Sequence, residues 1–201
     1  MPLKRTFFGR TYNRGVKALE KIVQEVGNPA DVTLNLILEN PYTSKLFERF
    51  VRQEHSHENL LFYREIEAIE SLEEHQMMHP VVLMGIVGTF VSQNARQEVN
   101  IEGALRNKIE KNVTEIESIV FDDRPGNDKN DVGDECNSDS VVDDLLYELT
   151  QLLVEAGHII YNLMKTDTLP RFMALHSPTS SSISAFSTTL DYHSASSARV
   201  Q

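Results

Sequence analysis

The stretch Glu54-His-Ser-His-Glu-Asn-Leu-Leu-Phe-Tyr63 decides how this chain is read, because it joins a helix start to an unusual polar residue. Ser56 is a good N-cap, and Glu58 suits the positive first turn of a helix. The apolar residues that follow have helical spacing: Leu61, Phe62, Ile66 and Ile69. Asn59 is then expected at the rim of this helix, where a purely structural helix has no need of an amide.

Two later stretches share that character. Glu98-Val-Asn-Ile-Glu102, followed by Arg106, places Asn100 at a predicted bend before a helix. Leu163-Met-Lys-Thr-Asp-Thr-Leu-Pro-Arg-Phe172 places Asp167 and Arg171 where one predicted helix ends and the next begins. We therefore expect polar side chains at three helix edges.

The rest of the chain is also read as helical, so the predicted fold class is all-α. Helices are expected at about 8–26, 31–39, from a cap at Thr43 onward, 81–91, 102–113, from a cap at Ser140 to about 167, and 169–175. Residues 81–91 are rich in valine, and a buried strand is conceivable there. Because every neighbouring segment has helical spacing, a central helix is the preferred interpretation.

Charge divides the chain unevenly. Residues 1–27 hold six basic and two acidic residues and have a net charge of +4. Because the whole chain has a net charge of −11, the remaining residues carry −15. Residues 121–144 contain nine Asp or Glu against two basic residues, and such a segment is typical of a disordered loop. We predict a basic amphipathic helix at 1–30, a domain at 31–176 with an acidic disordered insertion at about 121–140, and a Ser/Thr-rich disordered tail at 177–201.

Composition excludes several classes of protein. The negative total charge argues against nucleic acid as the main partner. Cys136 is the only cysteine, so no disulfide can form within the chain, which favours a reducing compartment. Neither a membrane span nor a signal peptide is evident. The chain is expected to be cytoplasmic.

The three polar stretches resemble those of the regulator of G-protein signalling (RGS) domain family. Residues 56–63 resemble its Ser-x-Glu-Asn-x-x-Phe-Trp motif, with Tyr63 in place of Trp. Residues 98–102 are similar to Val-Asn-Leu-Asp, and residues 163–172 to Leu-Met-x-x-Asp-Ser-x-x-Arg-Phe, with Thr168 in place of Ser. The resemblance covers about residues 32–176, and the motifs occur in the family's order.

The resemblance implies a four-helix bundle plus a terminal helical subdomain, here with a long acidic loop insertion. It also implies one surface that grips the switch regions of a GTP-bound Gα subunit of a heterotrimeric G protein and accelerates GTP hydrolysis. Gα carries its own catalytic Arg and Gln. The regulator is therefore expected not to be an enzyme itself and to need no cofactor, metal or nucleotide pocket.

Carried over by position, the residues expected to bind Gα are His55, Glu58, Asn59, Asn100, Ile101, Leu163, Asp167, Thr168 and Arg171. Asn100 would reach the Gln that orients water and a switch Thr, and Glu58 and Asn59 would contact the second switch. Leu163, Asp167, Thr168 and Arg171 would hold the first switch, with Arg171 fixing the carboxylate of Asp167.

Three other interpretations stay open. The same fold can serve as a non-catalytic adaptor that binds Gα or another signalling protein. His75 and His79 lie four apart and could hold the metal of a hydrolase, although no third ligand is evident and no metal is expected. Finally, the basic stripe Arg10, Arg14, Lys17 and Lys21 could attach the chain peripherally to the anionic plasma membrane, or simply be solvated.

Overall fold

A computed structural model describes residues 3–71, 79–120 and 138–176, and these residues are helical apart from short connections. The helices are α1 Leu3–Val26, α2 Leu34–Glu39, α3 Pro41–Gln53, α4 His57–Glu70, α5 Pro80–Ile86, α6 Gly103–Val120, α7 Ser138–Leu163 and α8 Leu169–His176. A 3₁₀ turn occupies Pro29–Asp31, and π-helical turns occupy Val87–Val91 and Met164–Thr168. No strand occurs in these three described ranges, which confirms the all-α prediction.

The chain divides into two compact units. Among the described residues, one unit comprises 3–50 and 165–176, and the other comprises 51–71, 79–120 and 138–164. We call them the terminal unit and the bundle unit.

The bundle unit is built around α7, which packs against α4, α5 and α6. Its fully buried side chains are apolar and come from all four helices: Leu60, Phe62, Ile66, Leu83, Ile109, Ile116, Leu149, Leu153 and Ile160. A Cβ placed on Gly157 of α7 would lie 2.6 Å from Cγ2 of Ile66 in α4. The two helices therefore approach closely only because residue 157 has no side chain.

The terminal unit has its own core. Fully buried side chains come from α1, α2, α3 and α8: Leu19, Leu34, Ile37, Phe47 and Phe172. Gly27 ends α1 in the left-handed region, with φ 85°, and its N–H donates to the Val23 carbonyl at 2.9 Å. Glycine favours this conformation, which explains why the helix stops there.

The start of α3 differs from the prediction. The helix begins at Pro41, and the side-chain oxygen of Asn40 accepts the N–H groups of Tyr42 (3.0 Å) and Thr43 (3.3 Å). Thr43 is buried within the helix, and its hydroxyl donates to the Ile37 carbonyl at 2.7 Å. The predicted cap at Thr43 is wrong, because Asn followed by Pro at the first helical position is the stronger start signal.

Other bounds also differ. α6 extends to Val120 rather than ending near residue 113, and α7 begins at Ser138 rather than at residue 141. The last residues of the predicted disordered insertion are therefore helical. The remainder of that insertion, residues 121–137, lies outside the described residues, as does the predicted tail from residue 177. The helix expected at 81–91 is present as α5 and the π-helical turn after it.

Candidate functional site

The turn between α3 and α4 fixes the first polar stretch. His55 has a φ of 56°, its N–H donates to the Arg52 carbonyl at 3.4 Å, and the Ser56 N–H donates to the Val51 carbonyl at 3.0 Å. These two bonds form a Schellman motif, in which the residue after the helix adopts the left-handed conformation. His55 is exposed on this turn.

The beginning of α4 carries several buried polar atoms. Ser56 stands at the N-cap as predicted, but its hydroxyl makes no capping bond. Glu58 is half-buried, whereas Asn59 is only 8% exposed. Among the described residues, neither Oγ of Ser56 nor Oδ1 of Asn59 has a hydrogen-bond partner. Asn59 thus lies mostly inside the unit rather than openly at its rim.

Asn100 is the most prominent residue of the second stretch. Val99 and Ile101 on either side are buried, at 0% and 6% exposure, while Asn100 is exposed. The two apolar neighbours anchor the backbone and leave the amide facing outward. This arrangement offers a donor and an acceptor at a fixed place on the surface.

The loop that carries Asn100 is bonded to the end of the preceding helical turn. The N–H of Gln97 donates to the Thr89 carbonyl at 3.2 Å, and the N–H of Val99 donates to the Phe90 carbonyl at 2.9 Å. The last carbonyls of a helix have no partner within it and must find one elsewhere. Here the downstream loop supplies those partners.

The third stretch lies on the π-helical turn Met164–Thr168 and on α8. Arg171 donates from Nη1 to Oδ1 of Asp167 at 3.1 Å and lies 3.0 Å from Oδ2 through Nη2. The expected ion pair is therefore present and bidentate, and both side chains are about half-exposed, at 48% and 54%. Thr168 is buried, and Leu163 is half-buried.

The predicted residues are divided between the two compact units. His55, Glu58, Asn59, Asn100, Ile101 and Leu163 belong to the bundle unit, whereas Asp167, Thr168 and Arg171 belong to the terminal unit. That all of them form one surface stays a prediction. Within their own units, the exposed polar members are His55, Asn100, Asp167 and Arg171.

Sequence reasoning did not assign a role to the pair Glu98 and Arg106, although both lie in or beside the second stretch. The guanidinium of Arg106 donates to the carboxylate of Glu98 and to the carbonyls of Val91 and Val99. The sequence did offer one indication of this pair, because Glu98 and Arg106 have opposite charges and lie eight residues apart on either side of the predicted bend.

The four basic residues of the predicted stripe lie on one side of α1. Arg10, Arg14, Lys17 and Lys21 are exposed, and Lys21 pairs with Glu25 at 3.4 Å. The opposite side of α1 is already used, because Leu19, Ile22 and Val23 are buried within the terminal unit.

An aromatic cluster surrounds His176 at the end of α8. Its ring centroid lies 4.8 Å from that of Phe172 and 6.1 Å from those of Tyr12 and Phe50. Arg49 stands over the Tyr12 ring at 5.4 Å. Burial lowers the pKa of His176, and the charge of Arg49 acts in the same direction, while a hydrogen bond to the Phe172 carbonyl opposes both.

Tyr63, which stands in place of the Trp of the motif, is half-buried. Its ring stacks near that of Tyr161, with centroids 5.3 Å apart. Burial and the neighbouring carboxylate of Glu67 raise the pKa of Tyr63 to about 12. The hydroxyl therefore stays protonated at neutral pH.

Within the described parts of the chain, no group of three or more His, Cys, Asp or Glu side chains is arranged to hold a metal ion. His79 accepts the Val81 N–H at 3.3 Å as the N-cap of α5, while His75 lies outside the described residues. No described helix is both long and apolar enough to cross a membrane.

Comparison with known proteins identifies the class. The sequence model of the "Regulator of G protein signaling domain" matches residues 33–177. Because the match covers most of the chain, this protein belongs to the RGS domain family.

Individual relatives match over a shorter stretch. The rat "Regulator of G-protein signaling 10" is 34% identical over 89 residues, which are 44% of this chain and 48% of the relative. The human protein of the same name is 33% identical over the same length. The aligned stretch thus spans about half the length of these curated relatives.

Proposed function

We propose that this protein is a GTPase-activating regulator of a heterotrimeric G-protein α subunit. Membership of the RGS family supports this reading, and the exposed Asn100 between two buried neighbours is the observation that carries it. An amide held in this way can contact a partner without first losing conformational freedom.

The chemistry requires little of the regulator. Gα supplies the catalytic Arg and the Gln that orients the attacking water, and Mg²⁺ neutralises the phosphates. A protein that holds the Gα switch regions in the transition-state arrangement lowers the barrier, by about 1.4 kcal/mol for each tenfold acceleration. The proposed regulator binds and positions, and the bond is broken in the Gα site.

The exposure of each residue separates two roles within the proposed site. Asn100, Asp167 and Arg171 are exposed and would contact the switch regions directly. Asn59 and Thr168 are buried and would act mainly by supporting the contact surface. Arg171 would hold the Asp167 carboxylate ready to accept backbone N–H groups of the first switch.

Single-turnover GTP hydrolysis by a panel of Gα subunits tests the proposal. The parent protein should accelerate hydrolysis by at least one Gα, and Asn100→Ala should largely abolish the acceleration. Asn13→Ala is the matched control, because Asn13 is also exposed but lies outside the residues that match the family. Equal loss in both variants would contradict a specific role for Asn100.

A non-catalytic adaptor remains the alternative function. Such a protein would bind Gα carrying GDP and aluminium fluoride, a mimic of the transition state, without accelerating hydrolysis. Binding without acceleration across the whole panel would favour the adaptor and overturn the activator.

We further propose that α1 attaches the protein to anionic membrane surfaces through its basic residues. Arg10, Arg14 and Lys17 are exposed, whereas Leu19, Ile22 and Val23 on the other side of α1 are buried in its own unit. Each basic residue near an anionic leaflet contributes about 1 kcal/mol.

Sedimentation with phosphatidylserine-containing vesicles tests the attachment. Binding should weaken steeply with salt and should be lost when Arg10, Arg14 and Lys17 are all replaced by Glu. Neutral vesicles serve as the control. Sedimentation that is unchanged by the charge reversal would contradict this proposal.

A further inference from the structure

The segment Ser92–Glu102 has to keep Asn100 in place although it contains no helix or strand. Its backbone bonds to Thr89 and Phe90 secure one side of the loop. Bonds between N–H and carbonyl groups alone leave the negative end of the preceding helical turn uncompensated. A cation at that end would be stabilised by the aligned carbonyls.

Arg106 of α6 provides this cation. Its Nη1 donates to the Val91 carbonyl at 2.8 Å, and its Nη2 donates to the Val99 carbonyl at 3.0 Å. The first carbonyl belongs to the end of the helical turn, and the second belongs to the residue immediately before Asn100. One rigid guanidinium thereby joins the start of the loop to the backbone beside Asn100.

Glu98 completes the arrangement. One of its carboxylate oxygens accepts a hydrogen bond from Arg106, and the other accepts the Asn94 N–H at 3.0 Å. Asn94 has a φ of 62°, so its backbone lies in the left-handed region. The Arg106 side chain is 14% exposed and that of Glu98 38%, so water screens this pair less than an open surface pair.

We propose that Arg106 and Glu98 are positioning residues for Asn100. They touch no reacting group themselves, and they act by restricting the loop to the conformation in which the Asn100 amide meets Gα. The inference rests on the proposed function, and it adds to the site a pair of residues that lies beside Asn100, on its loop and on α6.

Loss of Arg106 should act mainly by displacing Asn100 in the complex with Gα. We call the bonded pair Arg106 and Glu98 the clamp. When the clamp is removed, Asn100 is still present, but its backbone is free to shift away from the position that contact with Gα requires. Misplacement of about 1 Å in a positioned group costs about 100-fold in rate. We therefore expect Arg106→Gln to lower the acceleration of GTP hydrolysis by about 10- to 100-fold.

A double-mutant cycle tests the inference on a Gα that the parent protein accelerates. The variants are Arg106→Gln, Asn100→Ala and the double variant, with Arg96→Gln as the matched control because Arg96 is an exposed arginine of the same loop. If Arg106 acts through Asn100, the double variant should be no slower than Asn100→Ala alone. Arg96→Gln should match the parent protein.

Two outcomes overturn the inference while the proposed function stands. In the first, the Arg106→Gln variant accelerates hydrolysis as well as the parent protein does. In the second, the fold-loss of acceleration in the double variant equals the product of the losses in the two single variants. A parent protein that accelerates no Gα overturns the proposed function and this inference together. The outcomes are therefore distinguishable.

A second measurement guards against loss of folding. Glu98→Gln keeps the shape of the more exposed partner while it removes the charge. In the folded variant, amide hydrogen exchange at Val99 should be faster than in the parent protein, and exchange at Leu149 in the core should be unchanged. Equal exchange at Val99 in both proteins would contradict a clamp.

Discussion

Arg106 with Glu98 and Arg171 with Asp167 are arginine–carboxylate pairs that contain the same chemical groups but have different surroundings. Arg106 in the bundle unit is 14% exposed and also bonds two backbone carbonyls, whereas Arg171 in the terminal unit is 48% exposed and pairs with Asp167 four residues earlier. Exposure and backbone contacts therefore decide whether such a pair holds the structure or stays accessible to a partner.

The largest effect is expected for Arg106, the less exposed of the two arginines. Arg106→Ala removes a charged donor from two carbonyls and a carboxylate, and it should lower the free energy of unfolding by about 2–4 kcal/mol. Urea unfolding followed by circular dichroism measures this change. Arg96→Ala is the control and should stay within about 0.5 kcal/mol of the parent protein. A decrease of similar size in the free energy of unfolding of Arg96→Ala would show that the bonds of Arg106 do not account for its effect.

Replacing Arg171, the more exposed arginine, should affect GTP hydrolysis more than stability. Arg171→Ala should cost less than about 1 kcal/mol of stability, because exposed ion pairs contribute little. The same variant should slow Gα-dependent GTP hydrolysis by about tenfold, since the Asp167 carboxylate is no longer held. Comparing the unfolding curve with the hydrolysis rate separates the two effects. A variant that is strongly destabilised yet fully active would reverse the proposed distinction.

His176 adds a pH-dependent test of the terminal unit, because it is a titratable group that packs among the aromatic rings at the end of α8. Burial lowers the pKa of His176, so the unfolded chain binds a proton more readily than the folded chain. The stabilisation is complete above the ordinary pKa of about 6.5 and is lost as the pH falls through the lowered folded-state pKa.

Thermal unfolding between pH 7.5 and pH 5 measures this effect. His176→Gln, which does not titrate, should lose less stability on acidification than the parent protein. His158→Gln is the control, because His158 is exposed and faces Glu70 at 3.1 Å. Identical pH profiles for the parent protein and His176→Gln would contradict the assignment.

The smallest effect concerns the turn before α4. His55 holds a left-handed conformation that glycine adopts without steric cost, so His55→Gly should raise the free energy of unfolding by up to about 1 kcal/mol. Urea unfolding again measures the change. His55→Ala should not produce a gain, and a gain in that variant would rule out backbone strain as the cause. Hydrolysis assays of both variants show whether the imidazole also contacts Gα.

Sequence reasoning identified the helices because their apolar faces repeat at helical spacing, as in the run from Leu61 to Ile69. The two π-helical turns were not predicted, since one additional residue in a turn hardly changes that spacing. The prediction of Asn59 as a rim residue did not anticipate its burial, because burial depends on neighbours that are distant in the sequence. The contacts of Arg106 with carbonyls seven and fifteen residues away could not be read from composition for the same reason.

The bonding of the Asn100 loop to the preceding helical turn bears on protein engineering. The loop takes its shape from carbonyls that precede it and from an arginine that follows it, so residues 92–102 transplanted alone would leave behind the groups that shape them. A graft intended to transfer Asn100 to another helical scaffold should carry the continuous cassette 80–106. A graft with a junction inside residues 80–106 should fail to hold the loop of Asn100 in its native conformation.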